Sequence, residues 1–477
     1  MANINRRRFL QSSSAMGFAA STGLLAAMGS SNAFAADTSG YKALVCVFFK
    51  GGLDSMDLIL PKDTASHDAL AAIRPGLFGS YNVGSGTSSR DRENILKINP
   101  SNSGDFGGRE FGFAPEMSEL QGLFEDGNAA IIGNVGPLVE PTSRTTMDNF
   151  SAQIPDRLFS HNDQQSTWMS FGTEGAQSGW GGRFLEATLK EDAVSNPTFS
   201  AISTSGNDVF LSSDGVRQFS APSTPESADI LRQKWRLGSG RNSDAARAAI
   251  RDHLASVGVT SQNLYAQDLI GLNGRAIENV EAYKTAIEGG AALNTAFPDS
   301  KLGEQLKTVA NTMAVRGALN VRRQIFFVSI GGFDTHDSQR NSMPALQAQI
   351  STSIAAFQSA MVELGLSESV TLFTGSDFGR TAIDNGDGTD HGWGAHHLVI
   401  GGAVQGKRIY GTLPEYDLGA ETYTASRGRL IPSVSVEQYA ATLGGWFGLD
   451  TSELNDALPN LSNFTQKDLG FLATGTA

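Results

Sequence analysis

The sequence predicts an α/β protein built as a three-layer α/β/α sandwich around a mostly parallel sheet. Short, continuously apolar runs indicate strands that are covered on both faces. These runs are residues 43–49, 128–136, 325–330 and 370–374. Helical patterns alternate with them, as in strand-helix-strand units. Asp and His residues follow several of the runs, and ligands bind at the carboxyl ends of parallel strands.

Composition excludes some partners. The chain has 477 residues, of which 40% are hydrophobic and 18% charged, which is ordinary for a globular protein with a large core. The formal net charge of -13 argues against nucleic acid or an anionic membrane as the main partner. The single cysteine, Cys46, excludes an intrachain disulfide and, within an apolar run, is predicted to be buried.

The N-terminus is predicted to be a signal peptide over residues 1–35. Residues 5–11 resemble the twin-arginine export motif, residues 15–28 are weakly apolar, and residues 33–35 form a small-x-small cleavage site. An amphipathic helix is the alternative. We expect the twin-arginine translocase to export the protein, which would then be periplasmic or secreted. No later stretch reaches the ~20 apolar residues of a membrane span, so no transmembrane anchor is expected in the mature chain.

A single domain is expected over residues 40–465. Its first strand, 43–49, leads into a glycine turn from which Asp54 or Asp57 would emerge at the sheet edge, unless Asp54 only caps a helix. Residues 61–112 are rich in Ser, Asn, Gly and charge and predict surface loop with short elements. Residues 115–126 predict a helix before the strand at 128–136.

Three further regions complete the outline. Residues 160–165 are predicted to lie on a loop, where His161 is either a site residue or a hydrogen-bonded structural histidine. Residues 196–237 suggest a small β element, and the helical pattern of residues 243–320 predicts a helical insertion or cap. Residues 406–411 predict a short strand or hairpin, and Ser435 is expected to cap a helix over 436–447.

Residues 325–397 contain most of the candidate chemistry. The strand at 325–330 precedes Asp334 and His336, an amphipathic helix covers 343–364, and the strand at 370–374 precedes Asp377. Because such a crossover makes the two strands parallel, these side chains should meet at one edge of the sheet. A Gly/Asp-rich loop then brings His391, and a further strand starts at His396 and His397.

The candidate site is a set of Asp and His residues on separate loops. Phosphate-binding loops of the Walker type, the dinucleotide fingerprint and the Gly-x-Ser-x-Gly elbow are all absent from the sequence. Mixed carboxylate and imidazole ligands favour zinc or manganese, with iron also suitable, over magnesium or calcium. The candidates are Asp54, Ser160, His161, Asp334, His336, Asp377, His391, His396 and His397.

Several motifs together resemble an exported bacterial family catalogued as domain of unknown function 1501. They are the export signal and residues 49–54, 331–336, 376–381, 390–392 and 435–440. That family is similar in turn to the alkaline phosphatase and sulfatase superfamily, which implies an alkaline phosphatase-like fold. The resemblance implies Ser160 as nucleophile and a metal site drawn from Asp54, His161, Asp334, His336, Asp377, His391 and His396 or His397. Phe378 stands where the superfamily has a histidine ligand.

The resemblance implies a metal-dependent phosphoester or sulfoester hydrolase of the cell envelope, acting on an anionic ester. Arg380 would hold the anionic oxygens of the substrate with its planar fork or, alternatively, pair with Asp377. The departure at Phe378 favours a second hypothesis, a catalytically altered, metal-stabilised envelope protein that binds polysaccharide or a partner. An isomerase or mutase of the same superfamily is a third.

Overall fold

The computed structural model describes residues 40–81, 89–191, 195–222, 245–246, 248–250, 252–253 and 263–473. The signal peptide predicted over residues 1–35 lies outside these ranges, and so does part of the helical region 243–320. None of the described helices combines the length and the apolar character that a bilayer crossing requires.

The strands, in chain order, are β1 (Lys42–Phe49), β2 (Ile59–Pro61), β3 (Leu96–Lys97), β4 (Phe111–Phe113), β5 (Ala129–Gly136), β6 (Ala201–Ser203), β7 (Phe219–Ser220), β8 (Arg323–Ile330), β9 (Val370–Ser376), β10 (Arg380–Asp384), β11 (Thr389–His391), β12 (Ala395–Ile400), β13 (Arg408–Gly411) and β14 (Val434–Ser435). The α-helices are α1 (Thr64–Ile73), α2 (Pro75–Ser80), α3 (Ser118–Glu125), α4 (Arg144–Asp148), α5 (His161–Ser170), α6 (Trp180–Glu191), α7 (Leu264–Glu288), α8 (Lys301–Ala314), α9 (Gln339–Glu363), α10 (Val436–Phe447) and α11 (Thr451–Ala457).

Within the described residues, nine strands form one mixed sheet in the order β13-β5-β12-β9-β1-β8-β6-β7, with β14 also paired to β5. Strand β1 lies between β8 and β9 and is parallel to both, which confirms the predicted parallel crossover. Strand β12 alone runs antiparallel to its neighbours, β5 and β9. It follows β9 after a small β10–β11 hairpin rather than a crossover helix, and a connection without a crossover returns the chain in the opposite direction.

The sheet is covered on both faces, as predicted. Successive side chains of β1 point to opposite faces, so Val45 and Val47 join one core while Leu44 and Cys46 join the other. Residues of α3, α8 and α9 fill the first core, and residues of α5, α6 and α10 fill the second. Burying each large apolar side chain contributes about 1.5–3 kcal/mol, which makes these two cores the main stabilising feature.

Residues 61–112 are more ordered than the predicted surface loop with short elements. The segment contains α1, α2 and a three-stranded sheet of β2, β4 and β3. Its buried side chains include Arg74 and Arg90, which pair with Asp54 and Asp57. A buried charge is tolerated when it is paired and hydrogen-bonded, but in a sequence pattern it is indistinguishable from a surface charge.

Three further segments can be compared with their predictions. Strand β13 pairs with β5 in parallel, which confirms the short strand predicted over residues 406–411 rather than the alternative hairpin. The β element predicted within 196–237, of which residues 223–237 lie outside the described residues, consists of β6 and β7, which extend the main sheet. Val209–Leu211 in the same segment is a turn of 3₁₀-helix. In the described part of 243–320, α7 and α8 confirm the helical pattern, and α8 buries four apolar residues at steps of three and four, namely Leu302, Leu306, Val309 and Met313.

Candidate metal centre

The carboxyl ends of the central strands carry a group of histidines around one carboxylate. Asp334 and His336 lie in the loop that follows β8, and His391 ends β11 in the hairpin after β9. His161 is the first residue of α5, not a loop residue as predicted. The sequence of α5 is mostly polar and lacks an apolar stripe, so periodicity gives no helix signal there.

Three histidine side chains converge on one oxygen of Asp334. Asp334 Oδ1 lies 3.1 Å from His336 Nε2, 3.4 Å from His391 Nε2 and 3.5 Å from His161 Nε2. His336 Nε2 and His391 Nε2 are 2.8 Å apart. Ligand atoms of His161, Asp334 and His391 all lie within 4.8 Å of one another, a spacing that a metal ion could bridge. We call these four residues the His/Asp cluster.

Each histidine of the cluster has its other ring nitrogen against an oxygen. Because a carboxylate or carbonyl can only accept, a neutral ring that donates from Nδ1 to such an oxygen presents a lone pair at Nε2. Such partners orient metal-ligating histidines in proteins. The three contacts join His161 Nδ1 to Asp377 Oδ2 at 2.7 Å, His391 Nδ1 to Phe159 O at 2.8 Å and His336 Nδ1 to Asp390 Oδ1 at 3.3 Å.

Three lone pairs and a carboxylate oxygen that face one another repel unless a cation or protons lie between them. His161 Nε2 is buried without a hydrogen-bond partner among the described residues. Three imidazoles with one carboxylate suit zinc or manganese better than calcium. The donor set of the His/Asp cluster therefore fits a divalent metal ion.

Electrostatics disfavours protons as the alternative on two of the rings. Burial lowers the pKa of His391 and of His336, and the positive charge of Arg380 lowers both further. The hydrogen bond to Asp377 raises the pKa of His161. Burial opposes ionisation of Asp334, but the hydrogen bond and charge of Arg380 outweigh it and lower the pKa of this carboxyl.

Arg380 forms a buried ion pair with the carboxylate of the cluster. Its side chain is fully buried, and Nη1 donates to Asp334 Oδ1 at 3.0 Å and to Gly51 O at 3.2 Å. Its remaining nitrogens bond to the hydroxyl and the carbonyl of Thr389. The structure thus leaves Arg380 unavailable to substrate oxygens, and its carboxylate partner is Asp334 rather than Asp377.

Phe378 occupies the space beside two of the histidines. Its ring centroid lies 4.8 Å from that of His161 and 4.7 Å from that of His391. The side chain is buried and also packs against Gly52, where an added Cβ would meet the phenyl ring at 2.5 Å. The residue that replaces an expected ligand is therefore a packing surface for the ligands that remain.

Asp377 lies behind His161 rather than beside Asp334. Its Oδ2 accepts from His161, from Gln165 Nε2 at 2.9 Å and from Gly51 N at 3.2 Å. Its Oδ1 is buried and has no partner among the described residues. The structure gives Asp377 the position of a residue that orients a ligand.

The structure does not bring Asp54 to the cluster. Both oxygens of Asp54 pair with Arg74, at 2.8 and 3.0 Å, and Gln339 donates to Oδ2 at 2.7 Å. Gln339 also accepts from the hydroxyl of Thr389, which in turn receives a bond from Arg380. Asp54 thus belongs to a buried network that ends at the cluster.

Ser160, His396 and His397 also lie outside the cluster. Ser160 Oγ donates to Asp163 Oδ2 at 2.9 Å, at the start of the same helix. His396 and His397 are buried within β12, and His396 Nδ1 accepts from the backbone N–H of Asn134 at 3.0 Å.

Sequence reasoning missed several supporting residues. Asp390 could have been predicted, because it directly precedes His391 and a carboxylate next to one metal ligand can orient another. The remainder gave no signal, because a backbone carbonyl and buried amides carry no pattern of their own. These are Phe159, Gln165 and Gln339.

These features define an α/β protein with a histidine–aspartate group, able to hold a metal ion, at the carboxyl ends of its central parallel strands. The chain matches the model of a family described as a protein of unknown function (DUF1501) over residues 41–456, and it belongs to that family.

Comparison with known proteins adds distant structural similarity. A Bacteroides thetaiotaomicron structure labelled "4S-sulf", from work on the metabolism of multiple glycosaminoglycans, shows 9% identity and a TM-score of 0.32, covering 88% of this chain and 74% of its own. Ps i-CgsB in complex with k-i-k-neocarrahexaose shows 10% identity and a TM-score of 0.32, covering 90% and 77%. No curated protein matches the chain.

Proposed function

We propose that this protein is an exported, metal-dependent hydrolase of phosphoesters or sulfoesters with an alkaline phosphatase-like arrangement. The observation that carries the proposal is the convergence of three histidine Nε2 atoms on Asp334, with each Nδ1 next to an oxygen acceptor. Export is supported by the twin-arginine motif and cleavage site within residues 1–35.

In this proposal the His/Asp cluster holds zinc or manganese. A divalent ion there supplies Lewis acidity toward an ester oxygen and activates a nucleophile. The side chains of Asp334 and His336 are 48% and 43% exposed, so an ester group can reach the cluster from solvent. Asp377 and Phe159 hold His161 and His391 in place, which limits the reorganisation that metal and substrate binding require.

Two nucleophiles are compatible with the site. Ser160 directly precedes His161, and its hydroxyl already donates to Asp163, so a carboxylate is in place to receive the hydroxyl proton. A water molecule is the alternative. Replacement of Ser160 by Ala distinguishes them, because only attack by Ser160 requires that hydroxyl.

The test begins with protein folded and exported in vivo. We expect elemental analysis to find a divalent metal, and we expect turnover of an aryl phosphate or an aryl sulfate. Asp334→Asn should lose both metal and turnover, whereas His253→Ala, a change at an exposed histidine outside the cluster, should keep both. Absence of metal together with inertness toward both substrates would overturn the proposal.

A second candidate is a metal-stabilised envelope protein that binds polysaccharide or a partner without hydrolysis. Phe378 favours it, because its ring fills the space beside His161 and His391 that the resemblance assigns to another ligand. Bound metal without turnover, combined with retention on a glycan array, would select this candidate.

A further inference from the structure

A tight turn next to the His/Asp cluster presents two arginines. Tyr423 and Leu430 form an antiparallel bridge, and Thr424 N donates to Arg429 O at 2.9 Å to close the turn. Arg427 and Gly428 have φ values of 60° and 59°. The Cβ of a non-glycine residue disfavours this left-handed backbone, and residues held in it cluster at functional sites.

Arg429 is fixed directly against a cluster histidine. Its Nε donates to His391 O at 2.8 Å. Its guanidinium carbon lies 4.1 Å from the ring centroid of Phe159, whose carbonyl receives the Nδ1 proton of His391. A stacked and hydrogen-bonded guanidinium has little rotational freedom left to lose when a ligand binds.

The outer nitrogens of Arg429, Nη1 and Nη2, differ from those of Arg380. Among the described residues, neither Nη1 nor Nη2 of Arg429 has a hydrogen-bond partner, whereas all three nitrogens of Arg380 are engaged. Two parallel N–H donors in one plane match two oxygens of a phosphoryl or sulfuryl group. Arg429 therefore presents the planar fork that Arg380 cannot.

We propose that Arg429 binds the tetrahedral oxyanion of the substrate, a phosphoryl or sulfuryl group, beside the His/Asp cluster. This rests on the proposed function and names the group that the site recognises. Arg427, which pairs with Asp390 and is 60% exposed, adds positive charge at the rim. Local cations of this kind are needed because the chain as a whole carries a net charge of -13.

The test is calorimetric titration with inorganic phosphate and, separately, inorganic sulfate, with and without added zinc. We expect Arg429→Gln to weaken binding by about ten- to a hundredfold, since a charged, two-bond contact is lost. Arg429→Lys should bind with intermediate affinity because it keeps the charge but not the fork. The matched control is Arg408→Gln, which removes a guanidinium stacked 5.7 Å from Tyr410 elsewhere, and it should leave binding unchanged.

The outcomes separate this inference from the proposed function. Equal anion affinity in Arg429→Gln and wild type would overturn the inference, whatever the metal content, and so would absence of phosphate and sulfate binding in wild type. Anion binding that depends on Arg429 in a protein that takes up no metal would support the inference and refute the hydrolase. If Arg429→Gln does not fold, the comparison of Arg429→Lys with wild type decides. The anion that binds more tightly identifies the ester class.

Discussion

Two groups of histidines near the carboxyl ends of the central strands differ in what their Nδ1 atoms contact. In the His/Asp cluster each Nδ1 faces a carboxylate or carbonyl oxygen. In the buried pair, Asn134 N–H donates to His396 Nδ1, and the hydroxyl of Thr374, which accepts from Leu398 N, faces His397 Nδ1 at 3.2 Å.

The partner of Nδ1 decides what Nε2 can do. An acceptor at Nδ1 keeps the proton there and leaves a lone pair at Nε2, whereas a donor at Nδ1 moves the proton to Nε2. His396 therefore has no free lone pair to offer a metal, although it lies only five residues after His391 in the sequence. Burial lowers the pKa of both His396 and His397 to about 3, which keeps these two rings neutral.

The largest expected effect tests the difference between the two groups of histidines. Loss of a hydrogen bond that supports a metal ligand typically reduces metal affinity by about 10–100-fold. We expect His391→Ala to reduce zinc affinity by more than this, because the variant removes a ligand itself. His396→Gln should leave zinc affinity unchanged. Competition with a chromogenic chelator measures both, with circular dichroism to verify folding. Loss of zinc affinity in His396→Gln to the same degree would contradict the assignment of the two groups.

The second effect is on stability in acid. With an ordinary pKa near 6.5 when unfolded and about 3 when folded, the buried histidines bind more protons in the unfolded chain between these values. Their contribution is fully present above pH ~6.5 and is lost as the pH falls toward 3. At pH 5 each of these two histidines should lower the free energy of unfolding by about 2 kcal/mol, since one pKa unit corresponds to about 1.36 kcal/mol.

A histidine variant separates the contribution of the buried histidines to acid stability from the opposite contribution of Glu437. Burial raises the pKa of Glu437 to about 7, so that carboxyl stabilises the fold more at low pH and loses this contribution as the pH rises through 7. Urea denaturation of wild type and His397→Gln at pH 7.5 and pH 5 should show a smaller acid loss in the variant. The matched His253→Gln should keep the wild-type loss, and an unchanged loss in His397→Gln would refute the prediction.

Much of the fold was predictable because its signal is local. Strands β1, β5, β8 and β9 are continuous apolar runs, and the helix after Ser435 begins with a capping box between Ser435 and Gln438. Helices α1 and α5 were not predicted, because the signal for them is not local in the sequence. The buried polar side chains around them are compensated by partners that no local pattern reveals.

The site was predictable only as a set of residues. Strand ends that meet at one edge bring His161, Asp334, His336 and His391 together. Contacts between residues that are distant in sequence decide which candidates lie outside the cluster. Arg74, in a segment predicted to be surface loop with short elements, forms an ion pair with Asp54. The N–H of Asn134, which donates to His396, is 262 residues away in the sequence.

The smallest expected effect concerns the residues that hold the cluster histidines. Asp377→Asn replaces the charged acceptor that lies 2.7 Å from His161 Nδ1 with a neutral and weaker one in a buried setting, and we expect zinc affinity to fall by about 10–100-fold. Asp390→Asn should cost less than about tenfold. Its contact to the exposed His336 is longer, at 3.3 Å, and Asp390 is shared with Arg427 and Asn385. Chelator competition on the two variants in parallel tests the ranking, and a larger loss in Asp390→Asn would show that His336, not His161, is the better-held ligand.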